Sequence, residues 1–235
     1  MREIVFDTET TGLDPSTGDR LVEIGCIELF NRFPTGNTFH RYLNPERDMP
    51  EGAFKVHGLS IEFLSDKPLF VHVVEELVEF LGDAPLVAHN AMFDLGFLNA
   101  ELKRAGREIV ARERLVDTLM LARRKHPGAS NRLDDLCLRY KVDNSKRTKH
   151  GALLDAELLA EVYIEMTGAR QASLGLASLG ESAGGRGRVA TARQRPVPLV
   201  PRVTTDELAA HRAFVAKLGE AAIWNKYLAD DKPAE

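Results

Sequence analysis

The 235-residue sequence is short of several things, and each absence excludes a class of protein. It has two cysteines, Cys26 and Cys137, both inside apolar patterns, so a disulfide-stapled scaffold and a zinc cluster are excluded. No apolar run reaches the roughly 18 residues that a membrane span needs. Met1-Arg2-Glu3 runs straight into strand-like sequence with no secretory pattern, so a reducing, cytoplasmic setting is expected. A basic body is missing too. Residues 168–203 carry six arginines against Glu181 alone, and residues 204–235 carry four basic and six acidic groups. With a net charge of −4, this leaves about −7 on residues 1–167. A nucleic-acid binder usually presents a basic face. If this body handles nucleic acid, metal ions or a partner must supply the positive charge.

What is present reads as strands first, then strand–helix alternation. Strands are expected at residues 3–10, Leu21–Phe30, Thr38–Leu43 and 85–89, with a short one around Val116. Helical periodicity covers Val73–Leu81, Phe93–Ala105, Thr118–Lys125, Leu133–Tyr140 and Leu153–Met166. That order predicts an α/β fold with a mixed sheet flanked by helices. Periodicity stops after Gly168, and residues 168–203 are rich in Gly, Ser, Ala, Arg and Pro, a flexible linker by composition. It returns at Thr204, which forms a capping box with Glu207. Leu208, Val215, Leu218 and Ala222 then share a face that one short helix cannot bury alone. A tethered partner-binding tail over 204–235 follows.

The chemistry is carried by carboxylates. Asp7 and Glu9 stand two apart in a strand, so both face one way, about 7 Å apart along the chain. At about 5 Å and an effective dielectric near 20 they would repel by roughly 3 kcal/mol. Taken alone, the pair reads more readily as a solvated strand end. Asp155, however, heads the buried stripe Leu158, Leu159, Val162 and Met166, and Asp94 opens the helix after the strand at 85–89. An acid on a buried face needs a partner or a metal. Four carboxylates from separated segments suit hard cations such as Mg2+ or Mn2+. Two such ions are a standard device for phosphodiester hydrolysis. His150, on the loop before Asp155, can take a proton there; by itself it reads more readily as a solvated loop histidine.

Asp7-Thr-Glu9, His89-Asn-Ala-Met-Phe-Asp94 and His150-Gly-Ala-Leu-Leu-Asp155 resemble, in order and spacing, the three motifs of the DEDDh 3′→5′ exonucleases. Asn144-Ser-Lys-Arg-Thr148 and Val56-His-Gly-Leu59 bring residues 2–167 closest to the epsilon-type proofreading branch that serves bacterial DNA polymerase III. The resemblance implies a ribonuclease H-like five-stranded sheet in an exonuclease domain over 1–167, and two divalent ions. Asp7, Glu9 and Asp155 would hold the first ion, and Asp7 the second, with Asp94 assisting. His150 would be the general base. His57 would touch the terminal nucleotide, and Leu13 and Phe93 would pack on its base, a sequence-tolerant contact. Relatives often place a glutamate directly before the Ala-Phe of this segment. Here Gly52 holds that place and Glu51 stands one earlier, so either can approach the 3′ end. His89 is a further candidate for substrate contact, although it and Asn90 can simply hydrogen-bond the strand–helix turn.

The tail fits the same resemblance. Gln171-Ala-Ser-Leu-Gly-Leu176 is similar to motifs that dock on the sliding clamp, with Gln171, Ser173, Leu174 and Leu176 as contacts. Residues 204–235 correspond to the segment that binds the polymerase alpha subunit, and a small third core subunit is left open. The function expected is DNA proofreading. The alternatives are an RNA-trimming DEDDh exonuclease and a non-catalytic link between polymerase and clamp.

Overall fold

A computed structural model describes residues 1–145, 147, 149–169, 203–219 and 222–225. The chain divides into two units, Met1–Leu176 and Ala177–Glu235.

The first unit is built on a five-stranded mixed sheet. Its strands are β1 (Arg2–Thr10), β2 (Leu21–Phe30), β3 (Phe33–Tyr42), β4 (Leu86–Ala88) and β5 (Leu115–Asp117), in spatial order β3-β2-β1-β4-β5. β1, β2 and β3 pair antiparallel, whereas β4 joins β1, and β5 joins β4, in parallel. Helices cover both faces, as the nearly unbroken apolar strand cores require. Ile4 and Phe6 face a cluster that includes Leu77 and Leu81 of α3 (Phe70–Leu81) and Phe97 and Leu98 of α4 (Met92–Arg104). Val5 and Ile27 face the other cluster. It takes in Ala122 of α5 (Thr118–Lys125), Leu136 of α6 (Leu133–Tyr140) and the apolar side of α7 (Ala152–Thr167). This is the ribonuclease H-like arrangement expected.

Three elements depart from the pattern read in the sequence. β3 starts five residues earlier than expected because Asn31 and Arg32, both at positive φ, close a two-residue hairpin. Residues 33–38 of this edge strand are exposed and carry Pro34 and Gly36, so no alternation marks them. Two short helices, α1 (Glu51–His57) and α2 (Ile61–Leu64), have no predicted counterpart. α1 has Pro50 at its N-cap with no side-chain cap and is exposed at most positions, so it lacks both sequence signals.

Two buried acids tie helices to the rest of the fold. Glu3 accepts from the Tyr163 hydroxyl at 2.8 Å and pairs with Arg32 at 2.7 Å, which anchors the end of α7. Glu101 of α4 is held by Arg20 at 2.6 Å and Arg104 at 3.0 Å, so this acid is structural. In the second unit, α8 (Thr205–Lys217) carries the full capping box of Thr204 and Glu207. Leu208, Phe214, Leu218 and Trp224 of that unit are exposed, and Val215 is buried. The expected linker lies almost wholly outside the described residues.

Candidate active site

The site forms where β1 ends and two helices begin. Asp7 and Glu9 leave β1 on one side, Asp94 enters from the first turn of α4, and Asp155 from the first turn of α7. Glycine makes the approach of α7 possible. Gly25 of β2 stands opposite Asp7, and a Cβ there would lie 2.4 Å from the Leu153 backbone. The β1–β2 register slips between Glu9 and Thr10, a bulge beside the acids that re-aims the strand end.

Glu9, Asp94 and Asp155 are buried and Asp7 is partly buried. Burial first, then Asp94, Glu9 and Asp155, pushes the Asp7 carboxyl well above its ordinary range. Burial and the neighbouring Asp155 and Glu23 push Glu9 up to about 8. Burial raises Asp94 to about 7, although Thr8 donates to its Oδ1 from both the main-chain N–H (3.1 Å) and the hydroxyl (2.7 Å). For Asp155 the balance falls the other way. Burial would raise it, but hydrogen bonds from His150 and Arg147 hold it below the usual carboxylate range. Carboxylates this crowded are short of positive charge. Donor atoms of Glu9, His150 and Asp155 all lie within 4.8 Å of one another. A partly buried set of carboxylate oxygens fits a hard divalent cation.

His150 lies on the loop before α7, with its side chain half exposed and its Nδ1 3.3 Å from Asp155 Oδ2. Arg147 donates to both oxygens of Asp155, at 2.6 and 2.7 Å. No periodicity marks Arg147, and only its place in the Asn144–Thr148 run pointed to it. Thr8 and Gly25 are likewise invisible in the sequence, because their importance is a matter of who stands opposite.

A cavity of about 560 Å³ adjoins the acids and is lined by Leu13, Gly52, His57, His89 and Phe93, among others. Leu13 projects as an 85% exposed apolar side chain. Phe93 stacks against Phe97 at 5.1 Å. His57 is buried; its Nδ1 accepts from the Leu59 N–H at 3.0 Å, so the hydrogen of the neutral ring sits on Nε2. That Nε2 is buried and makes no hydrogen bond of normal geometry, although the Thr10 main chain acts on the ring as a weak acceptor. Gly52 lines the cavity, whereas Glu51 is an exposed ion-pair partner of Lys55 and does not. His89 bonds Thr118 and the Asn131 carbonyl, both at 2.9 Å, so it ties the turn to α5 and the loop before α6. Beyond the acids a second groove of about 860 Å³ continues past Asn90, Arg123 and Arg132. Gln171, Ser173, Leu174 and Leu176 lie outside the described residues. Among those described, no helix is long and apolar enough to cross a membrane.

Comparison with known proteins agrees with this geometry. A family model described as exonuclease matches residues 4–163. DNA polymerase III subunit epsilon of Rickettsia felis is 46% identical over 226 residues, covering 94% of this chain and 99% of that protein. The Escherichia coli protein of the same name is 44% identical over 236 residues, covering 95% and 97%. Among solved structures, exonuclease X in complex with 5′ overhanging duplex DNA superposes with a TM-score of 0.53 at 25% identity, covering 70% of this chain and 90% of that one. The zinc-bound E. coli exonuclease I–single-stranded DNA complex superposes with a TM-score of 0.61 at 17% identity, covering 72% and 41%, a likeness of fold. The chain therefore belongs to the exonuclease family and, within it, to the epsilon subunits of DNA polymerase III.

Proposed function

We propose that this chain removes mismatched 3′-terminal nucleotides from DNA as 5′-mononucleotides, proofreading for DNA polymerase III. The observation that carries this reading is the convergence of Asp7, Glu9, Asp94 and Asp155 beside His150, at the mouth of a pocket that the buried His57 lines. Asp7, Glu9 and Asp155 would hold one divalent ion, and Asp7 with Asp94 a second, Mg2+ or Mn2+ by the hardness of the donors. Such ions, when bound, supply activation of water and stabilisation of the leaving oxygen.

The chain's own residues do the rest. His57 offers its Nε2–H, held only weakly by the Thr10 main chain, to the terminal nucleotide. Leu13 and Phe93 receive the base through apolar contact, which every base can make. Gly52 leaves room for the terminal sugar on the α1 side. His89 shapes the wall between the two grooves. His150, half exposed and beside Asp155, takes the proton of the attacking water. A frayed mismatched end reaches this pocket more readily than a paired one, because it has already lost its pairing.

The tail from Thr204 would bind the polymerase alpha subunit through the exposed apolar residues of α8. Residues 171–176 would bind the sliding clamp. Either tether raises the effective concentration of the exonuclease at the primer end. The test is hydrolysis of a 3′-labelled primer–template, paired and mismatched, beside an RNA equivalent, with Mg2+ or chelator. Metal-dependent release of 5′-mononucleotides, faster from the mismatch and lost in Asp7→Ala, is the expected result. Preference for the RNA would favour the trimming enzyme. No cleavage by a folded, metal-loaded protein would leave the non-catalytic link.

A further inference from the structure

Arg147 occupies the groups that the proposed chemistry uses. Its side chain is only 8% exposed although it sits on the loop between α6 and α7. Nε and Nη2 donate to the two oxygens of Asp155, and Nη2 also lies 3.0 Å from His150 Nδ1. A guanidinium can only donate. The same Nδ1 lies 3.3 Å from Asp155 Oδ2, so the guanidinium, the ring and the carboxylate meet at one point. One side chain thus engages both oxygens of a candidate metal ligand and a nitrogen of the candidate base. The third edge of the guanidinium points elsewhere. Nη1 donates at 2.7 Å to Asp134 Oδ1, on an exposed side chain in the first turn of α6.

A divalent cation at Asp155 and a guanidinium on the same two oxygens compete for the same negative charge. Glu9, His150 and Asp155 present their donor atoms within 4.8 Å of one another, so a cation seated there would engage the same Asp155 oxygens as Arg147. Asp134 provides an anchor outside the cluster to which Arg147 is already bonded, so the guanidinium can withdraw from Asp155 without becoming an unpaired charge.

We infer that Arg147 is the resident counter-charge of the metal-free site. It holds Asp155 and His150 until a divalent cation arrives, then withdraws to Asp134. It weakens metal binding while stabilising the metal-free fold. This rests on reading the acid cluster as a metal site. The opposite role, a residue that orients Asp155 for the metal, would strengthen metal binding, so the sign of the effect decides.

The experiment is calorimetric titration of Mn2+ into the full-length protein and into Arg147→Met and Asp134→Asn, with thermal unfolding in Mn2+ and in chelator. Arg147→Met is expected to bind Mn2+ roughly tenfold tighter, the order of one screened charge contact in a partly buried site. It should unfold at a lower temperature in chelator, with a wider gap between chelator and Mn2+ than the unaltered protein shows. Asp134→Asn removes the outer anchor and is expected to bind Mn2+ more weakly, the opposite direction. Weaker or unchanged Mn2+ binding in Arg147→Met overturns the inference, as does unchanged or tighter binding in Asp134→Asn should Arg147→Met fail to fold. No saturable Mn2+ binding by the unaltered protein would overturn the metal-site reading, and this inference with it.

Discussion

At the scale of single residues, the site is a cluster of acids whose charge is held back by burial. Glu9 at about 8 and Asp94 at about 7 are largely protonated below neutrality without metal. A raised carboxyl stabilises the fold most below its unfolded value, and that contribution is lost as pH rises through the folded value. For Glu9 the window runs from 4.5 to about 8. In chelator at pH 8, Glu9→Gln should therefore unfold at a higher temperature than the unaltered protein, by roughly 2–4 °C per kcal/mol of repulsion relieved. A melting curve at pH 8 and another at pH 5 check this; the gain should shrink at the lower pH. His150→Ala should lower kcat by roughly 10²–10⁴, with Mn2+ binding by calorimetry retained. Loss of binding together with rate would give His150 a ligand's role instead. Asp94 and Asp155 stood out in the sequence because acids at the head of buried stripes violate the usual pattern, whereas Asp7, Glu9 and His150 were set apart by the motif resemblance. Arg147, Thr8 and Gly25 violate nothing locally, and only their neighbours across the fold give them meaning.

At the scale of elements, the site depends on how closely α7 meets β2. Gly25→Ala places a methyl 2.4 Å from the Leu153 backbone, so the start of α7 must shift. The expected cost is about 1–3 kcal/mol, with a loss of activity larger than the loss of stability because Asp155 and His150 move together. Denaturant unfolding beside the exonuclease assay separates the two effects. In the second unit, Thr204→Ala removes the capping box of α8, at a cost of about 1 kcal/mol of helix stability. It should weaken the proposed binding to the polymerase alpha subunit while leaving hydrolysis of a short primer–template unchanged. Helices α3 to α7 were legible because they are amphipathic or apolar over two turns or more. α1 was not: seven mostly exposed residues behind an uncapped Pro50 carry neither period nor cap, yet they form a wall of the cavity beside the acids.

At the scale of the whole molecule, an acidic body that binds DNA requires cations, and that couples metal to protons. Divalent cations bind carboxylates rather than carboxylic acids, so Mn2+ binding near pH 7 should release protons from Glu9 and Asp94. Calorimetry in buffers of different ionisation enthalpy measures that release directly. The affinity should rise between pH 6 and pH 8, in step with the loss of protons from these groups. A pH-independent affinity with no proton release would mean that the acids are ionised before metal arrives.

The sequence by itself determined the α/β order, the apolar strands and helices, the acid and histidine motifs, and the tail's capping box. All of these are local patterns of period, spacing and charge. The tertiary structure decided which groups meet: Gly25 against α7, Thr8 on Asp94, the buried Nε2 of His57 beside the Thr10 main chain, and Arg147 between Asp155 and Asp134. Those contacts join residues far apart in the chain or on facing elements. Their energies depend on burial and distance, which no local pattern carries.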